Sequence, residues 1–237
     1  MGGWAVSDKR LGLIGVFDSG VGGLSVLRAL RAVLPDERFL YVADSANCPY
    51  GSRPADEIRE LSLGIARFFV TQGAKMIVVA CNTASAAALA DLRAAFRIPF
   101  VGMVPPVKPA AGLSATGVVG VLATPTTFGG ALYHDVVERH ASGARVISQV
   151  CEGLVERVEE GDGAGPETMA LLSCCLAPLL AEGADTLVLG CTHYPFLIPT
   201  IRRLVGDALR IIEPSEAVAR QALHVLEREI LRRPADA

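Results

Sequence analysis

Two cysteines in this 237-residue chain stand where a thiol can do chemistry. Cys81 is followed by Asn82, Thr83 and Ser85, and Cys191 by Thr192, His193 and the pair Tyr194-Pro195. Each ends a short apolar run, residues 76–80 and 186–189, and each stands just before residues that open a helix. Free N–H groups and the dipole at a helix start favour an anion, whether a thiolate or a ligand carboxylate. A thiol with a pKa near 8.5 is only about 3% thiolate at pH 7, so it needs a proton partner to act as a base. His193, two residues after Cys191, and Asp18, at the end of another apolar run, are candidate partners for the two thiols. Lone cysteines are commonly packing residues. A matched pair at strand ends, each trailed by hydroxyl, amide or imidazole groups, points instead to acid/base or nucleophilic work.

Neighbouring segments widen the candidate site. Asp18-Ser19-Gly20-Val21-Gly22-Gly23 has the glycines of a phosphate loop but neither its lysine nor G-x-G-x-x-G spacing, which leaves an anion- or amine-binding turn or a plain tight turn. Pro49-Tyr50-Gly51 is a loop tip that could close over a ligand or an ordinary turn. No lysine suits a Schiff base: Lys9 and Lys108 flank Gly- or Pro-rich turns and Lys75 precedes a strand, which argues against pyridoxal phosphate. His134, His140 and His224 sit on helical stretches. With the four histidines scattered, no zinc-type cluster is visible, and the metal assignment is none.

An internal repeat positions these residues. QGAKMIVVACNT (72–83) aligns without a gap on EGADTLVLGCTH (182–193), an offset of 191 − 81 = 110. GLIGVFDS (12–19) matches GVVGVLAT (117–124), an offset of 117 − 12 = 105, and RFLYVAD (38–44) stands in order with ARVISQVC (144–151). Helical spacing is expected over 23–33, 56–72, 84–95, 128–140, 167–181 and 199–205. The strands are apolar on both faces, as parallel strands between helical layers are. Each half is therefore α/β with a doubly wound parallel sheet. Ligands in such sheets bind at the carboxyl ends of strands, which places Asp18, Asp44 and Cys81 of one half with Thr124, Cys151 and Cys191 of the other. Two pseudo-symmetric halves facing each other would bring Cys81 and Cys191 to one cleft from opposite sides.

Bulk properties narrow the function classes. Hydrophobic residues make up 51% of the chain and charged ones 20%, which supports a packed core. A formal charge of -3 and the lack of arginine clusters interleaved with aromatics exclude a nucleic-acid or anionic-membrane footprint. Apolar runs fall short of the roughly 20 residues of a membrane helix, and MGGWAVSDKRLG has no apolar leader core, so a cytoplasmic protein is expected. All six cysteines are expected as thiols, with Cys174 and Cys175 packing a helix.

Taken together, IGVFDSGVGGLSVL, CPYGSRP, VVACNTASAAAL and LVLGCTHYPFL resemble the glutamate racemases, cofactor-independent members of the aspartate/glutamate racemase superfamily. The likeness runs in order across nearly the whole chain. It implies two α/β domains, 1–103 and 104–211, with 212–237 returning to pack on the first, and a site in the cleft between them. It implies interconversion of L- and D-glutamate without a cofactor, supplying D-glutamate for peptidoglycan and cell-wall synthesis. By this resemblance Cys81 deprotonates D-glutamate and Cys191 L-glutamate, assisted by Asp18 and His193. Asp18-Ser19, Tyr50-Gly51, Asn82-Thr83 and Thr192-His193 match substrate-binding pairs, and Thr124 and Thr127 reach toward the substrate. VCEGLVERVEEG matches a segment carrying an assisting glutamate, and counting from Cys151 gives Glu159. Relatives form dimers, so a homodimer is implied as well.

Three positions depart from the family pattern. Val104 stands where an acidic residue is usual, Cys48 stands beside the binding loop where relatives often differ, and Glu213 replaces a common aspartate. Competing readings are an aspartate racemase or another racemase with the same thiol pair, a non-catalytic binding protein on this fold, and a redox or metal protein. Paired assays of glutamate and aspartate enantiomers, the state of the two cysteines, and metal analysis with thiol titration separate them.

Overall fold

The computed structural model describes residues 8–141 and 143–234. The expectations for residues 1–7 and for the last three residues lie outside the described part. In the first half, β1 (Leu13–Asp18), α1 (Leu24–Val33), β2 (Phe39–Ala43), α2 (Ala55–Thr71), β3 (Ala74–Val79), α3 (Asn82–Ala95) and β4 (Phe100–Val101) alternate strictly. The chain then crosses through residues 102–106 to α4 (Val107–Leu113), β5 (Val118–Ala123), α5 (Pro125–Gly129), α6 (Ala131–His140), β6 (Arg145–Val150), α7 (Leu154–Glu159), α8 (Pro166–Ala181), β7 (Thr186–Leu189), α9 (Ile198–Val205) and β8 (Arg210–Ile212). It returns to the first half as α10 (Ser215–Arg228).

Both sheets are parallel and have the same order, β2-β1-β3-β4 and β6-β5-β7-β8. The repeat seen in the sequence is thus a repeat of topology. Strand side chains alternate between faces, and here both faces are apolar. Ile14, Val16, Met76 and Val78 pack with Val26 and Leu30 of α1 and with Val218, Ala222 and Leu226 of α10. On the opposite face, Phe17, Ile77 and Val79 pack with Ile58 and Phe69 of α2 and Leu92 of α3. The second sheet is covered likewise, Val119, Val121 and Val188 by α4 and α6 and Leu122, Leu187 and Leu189 by α7, α8 and α9. Each fully buried side chain of this size contributes about 1.5–3 kcal/mol over leaving it in water.

Two glycines in equivalent strand positions show how closely helix and sheet approach. A Cβ on Gly15 would lie 2.6 Å from Phe69 Cγ, and one on Gly120 would lie 2.6 Å from Leu179 Cδ1. Their offset, 120 − 15 = 105, is that of the flanking strand repeat.

The structure differs from the sequence reading in several places. The helix expected over 128–140 begins at Pro125, with Thr124 as its cap, and is interrupted at Gly130. β4 and β8 have 2 and 3 residues, too short to show periodicity. Cys151 and Cys175 are joined in a disulfide across 24 residues of sequence, which corrects the expectation of six thiols. Cys175 lies on the buried face of α8, against the end of β6 where Cys151 sits, whereas its neighbour Cys174 faces solvent. Cys48, Cys81, Cys174 and Cys191 are free.

Candidate active site

In each sheet the chain reverses its winding between the first and third strands of the half, and the carboxyl ends of those strands form the switch point. Asp18 ends β1 and Cys81 follows β3; Thr124 follows β5 and Cys191 follows β7. Their side chains, with Ser19, Tyr50, Gly51, Asn82, Thr83, Thr192 and His193, converge where the halves meet. All of these except Asp18 line one cavity, together with Pro49 and Val155. About 250 Å³ of empty space lies between them, with only about 10 Å³ open to the centre of a water molecule. That is room for about one water.

Cys81 caps α3, its Sγ accepting from Ala84 N at 3.4 Å. Burial first, then the Asp18 carboxylate beside it, pushes the Cys81 thiol well above its ordinary pKa. Asp18 is wholly buried, and burial raises its pKa in spite of the opposing pull of His193. Its Oδ2 accepts from Gly23 N at 2.7 Å and Thr192 Oγ1 at 3.2 Å, whereas Oδ1 has no hydrogen-bond partner. Desolvation disfavours charge on both members of the Asp18–Cys81 pair. The two groups stand side by side, where a proton can pass between them.

The Cys191 side is built differently. His193 Nδ1 lies 3.8 Å from Cys191 Sγ, and His193 Nε2 lies 2.6 Å from Glu159 Oε1. Burial alone would lower the histidine pKa. The Cys191 and Cys48 sulfurs and the Asp18 charge outweigh it and bring it up to about 12. The ring thus spans the two groups, one nitrogen toward the Cys191 sulfur and the other on the Glu159 carboxylate, in surroundings that favour its protonated form. Glu159 Oε1 also accepts from Val21 N at 2.7 Å.

That bond explains the glycine-rich turn. Its anion is the carboxylate of Glu159, delivered from the other half, and its glycines make the space. A Cβ on Gly20 would lie 1.9 Å from Glu159 Oε1, one on Gly22 would lie 2.4 Å from His193 Nδ1, and one on Gly23 would lie 2.7 Å from Asp18 Cβ. None of the three has positive φ, so close approach rather than backbone freedom demands glycine. Tyr41 Oη donates to Gly20 O at 2.6 Å and Ser25 Oγ to Gly22 O at 2.9 Å, fixing the turn. Neither residue stands out in the sequence; only the offset of Tyr41 within an otherwise apolar strand marks it.

Across the cleft, Thr83 Oγ1 lies 2.9 Å from Thr124 Oγ1, which lies 3.0 Å from Thr127 Oγ1. Thr126 Oγ1 donates to Gly51 O at 3.0 Å, tying the loop tip to α5. Tyr50 is buried with its Oη donating to Asp44 Oδ2 at 2.5 Å, so Tyr50 and Gly51 offer the cavity their backbone rather than the phenol. Asn82 is 3% exposed, and both its Oδ1 and its Nδ2 lack partners. Such groups are rare in folded proteins and mark a place where a ligand supplies the missing bonds. Of the departures from pattern, Glu213 accepts from Ser215 N at 2.7 Å at the start of α10, and Cys48 lies against His193 and Glu159.

Comparison with known proteins follows the same lines. A family model described as Asp/Glu/Hydantoin racemase matches residues 23–222. A glutamate racemase of Roseiflexus sp. (strain RS-1) is 56% identical over 229 residues, 96% of this chain and 84% of that protein. The crystal structure of a glutamate racemase isoform from Bacillus anthracis superposes with a TM-score of 0.84 at 34% identity, over 94% of this chain and 84% of that one. The Escherichia coli glutamate racemase, solved with L-glutamate and the activator UDP-MurNAc-ala, gives 0.82 at 35% identity, with 94% and 84% covered.

Proposed function

The chain belongs to the Asp/Glu/hydantoin racemase family, and we propose that it interconverts L- and D-glutamate by moving protons between the substrate and the two thiols, Cys81 and Cys191. The observation that carries this reading is the pairing of two strand-end cysteines on one cavity, each backed by its own buried acid/base partner. One thiolate takes the α-proton from one face of the substrate, and its sulfur becomes a thiol. The planar carbanion receives the proton of the other thiol on the opposite face, and that sulfur becomes the thiolate.

The partners then reset the pair. Asp18 exchanges a proton with Cys81, and His193, held by Glu159, supplies or recovers the proton of Cys191. By the family likeness Cys81 serves D-glutamate and Cys191 serves L-glutamate. An amino acid offers a carboxylate acceptor and an ammonium donor side by side. The unpaired Nδ2 and Oδ1 of Asn82 match that pair, with the hydroxyls of Ser19, Thr83, Thr124 and Thr192 and the backbone of Tyr50-Gly51 around it. In so dry a cavity each of these contacts is strengthened. The D-glutamate formed would feed peptidoglycan synthesis. No helix among the described residues is long and apolar enough to cross a membrane.

The test is racemisation followed by circular dichroism, with solvent deuterium uptake into each enantiomer, for Cys81→Ala and Cys191→Ala. Each variant should lose racemisation by at least about the 10²–10⁴-fold expected for losing one acid/base group. Aspartate enantiomers assayed in parallel should turn over far more slowly. Normal racemisation by either variant, or faster turnover of aspartate, would overturn the reading.

A further inference from the structure

Cys48, Glu159 and His193 are far apart in sequence and come from three elements: the loop after β2, the end of α7, and the turn after β7. Where the two halves meet, a sulfur, a carboxylate oxygen and a ring nitrogen lie within 4.8 Å of one another. We propose that these three side chains form an inhibitory site for a borderline-soft divalent cation, zinc(II) above all, at which Cys48 makes this chain metal-sensitive.

The donor set suits that class of ion. Cysteine, histidine and one carboxylate are zinc ligands, and three protein ligands leave a fourth position for water. A thiolate disfavours magnesium and calcium, which take oxygen donors. Tetrahedral bonds of about 2.0–2.3 Å set neighbouring donor atoms about 3.3–3.6 Å apart. The present His193 Nε2 to Glu159 Oε1 separation is 2.6 Å. An ion therefore needs these two side chains to part by about 0.8 Å, a small rotation of the carboxylate. Space exists because residue 20 is glycine: a Cβ there would lie 1.9 Å from Glu159 Oε1 and 3.1 Å from Cys48 Sγ.

The ligands are also oriented from behind, as metal ligands are. Val21 N donates to the Glu159 carboxylate, and the Nδ1 side of the His193 ring faces Cys191 Sγ. Binding would displace the proton on His193 Nε2 and the Cys48 thiol proton to solvent. His193 and Glu159 are the pair assigned above to the proton of Cys191, so an ion held by them withdraws that pair from the reaction. The metal site itself rests on the position of three side chains and not on the reaction.

The experiment uses the reduced, chelator-treated protein under anaerobic conditions. Cobalt(II) chloride serves as the spectroscopic probe and zinc sulfate as the inhibitor, with each variant compared with its own metal-free rate. One equivalent of cobalt should give a thiolate-to-cobalt charge-transfer band, and zinc should inhibit racemisation and raise Tm. Removing even an outer partner of a metal ligand costs about 10–100-fold in affinity, so Cys48→Ser and Cys48→Ala should weaken the band, the inhibition and the Tm shift by at least about tenfold. Cys174→Ser, at an exposed thiol, should leave all three unchanged. Equal zinc inhibition of wild type and both Cys48 variants would place the ion on the catalytic thiols and overturn the proposal, as would the absence of the band from wild type. The cobalt and Tm readouts stand even if the substrate proves not to be glutamate.

Discussion

Replacing Gly22 by alanine puts a single methyl group between the halves and reads out how closely they must meet. The added Cβ would lie 2.4 Å from His193 Nδ1 and 2.7 Å from Thr192 Oγ1. Ordinary carbon contacts need about 3.5 Å, so the imidazole must retreat by about 1 Å. It has little room to do so, with Glu159 2.6 Å from one nitrogen and Cys191 3.8 Å from the other. Overpacking of this kind costs about 1–3 kcal/mol. If the strain falls on the reacting arrangement, that corresponds to a loss of about 5- to 150-fold in kcat/KM. The two enantiomers are equally stable, so the loss must be equal in both directions. Circular dichroism rates from L- and from D-glutamate measure it. Gly64→Ala is the control: it lies in α2 with nothing within 4 Å of the added Cβ. That variant should gain about 0.5–1 kcal/mol of stability and keep its kinetics. A Gly22→Ala protein with kcat/KM within about twofold of wild type would refute the close-approach argument.

Asn82→Ala removes a buried amide that lacks partners, and each unsatisfied group costs about 1–3 kcal/mol. The variant should therefore melt at a higher temperature while its KM rises at least about tenfold through lost bonds to a charged ligand; a lower Tm with unchanged KM would count against the assignment. Desolvation works to raise the Asp185 pKa, but bonds from Ser114 Oγ, the backbone of Thr116 and Ala115, and Thr186 Oγ1 hold it below the usual carboxylate range. Since the folded pKa is the lower one, the stabilisation is present above about pH 4 and is lost as pH falls through the folded value. Asp185→Asn should accordingly flatten the acid limb of a Tm-against-pH curve, and an unchanged limb would contradict this.

The fold was legible where the chain repeats itself. Gapless alignment of residues 72–83 on 182–193 marked β3 and β7 and the cysteines that follow them, because parallel strands buried on both faces leave long apolar signatures. β4 and β8 pair through two or three residues and carry no such signature. The Cys151–Cys175 bond depends on which face of α8 meets β6, and neighbouring cysteines in a sequence do not disclose that. At the site, local order revealed Cys191 with His193 and Cys81 with Asn82. Contacts between the two halves stayed hidden: Val21 N to Glu159, the threonine chain joining Thr83 to Thr127, and the approach of Cys48 to His193. The glycines of the Asp18–Gly23 turn suggested a loop shaped for a ligand, but what they accommodate is the other half of the molecule.

Identical strand order in the two halves has a consequence for what the site fits best. Exchanging the halves exchanges the two thiols. Neither enantiomer is unchanged by such an exchange, because a tetrahedral carbon presents its hydrogen to one side only. A planar carbanion has lost that one-sidedness: it can take a proton on either face, and the proposed reaction has a thiol on each side of it. A duplicated scaffold that offers one thiol from each half is in this sense suited to the intermediate more than to either enantiomer, as complementarity to a transition state requires. In the proposed reaction the departures from equivalence, a carboxyl group behind one sulfur and a histidine with its glutamate behind the other, would set which proton is in place when each enantiomer arrives.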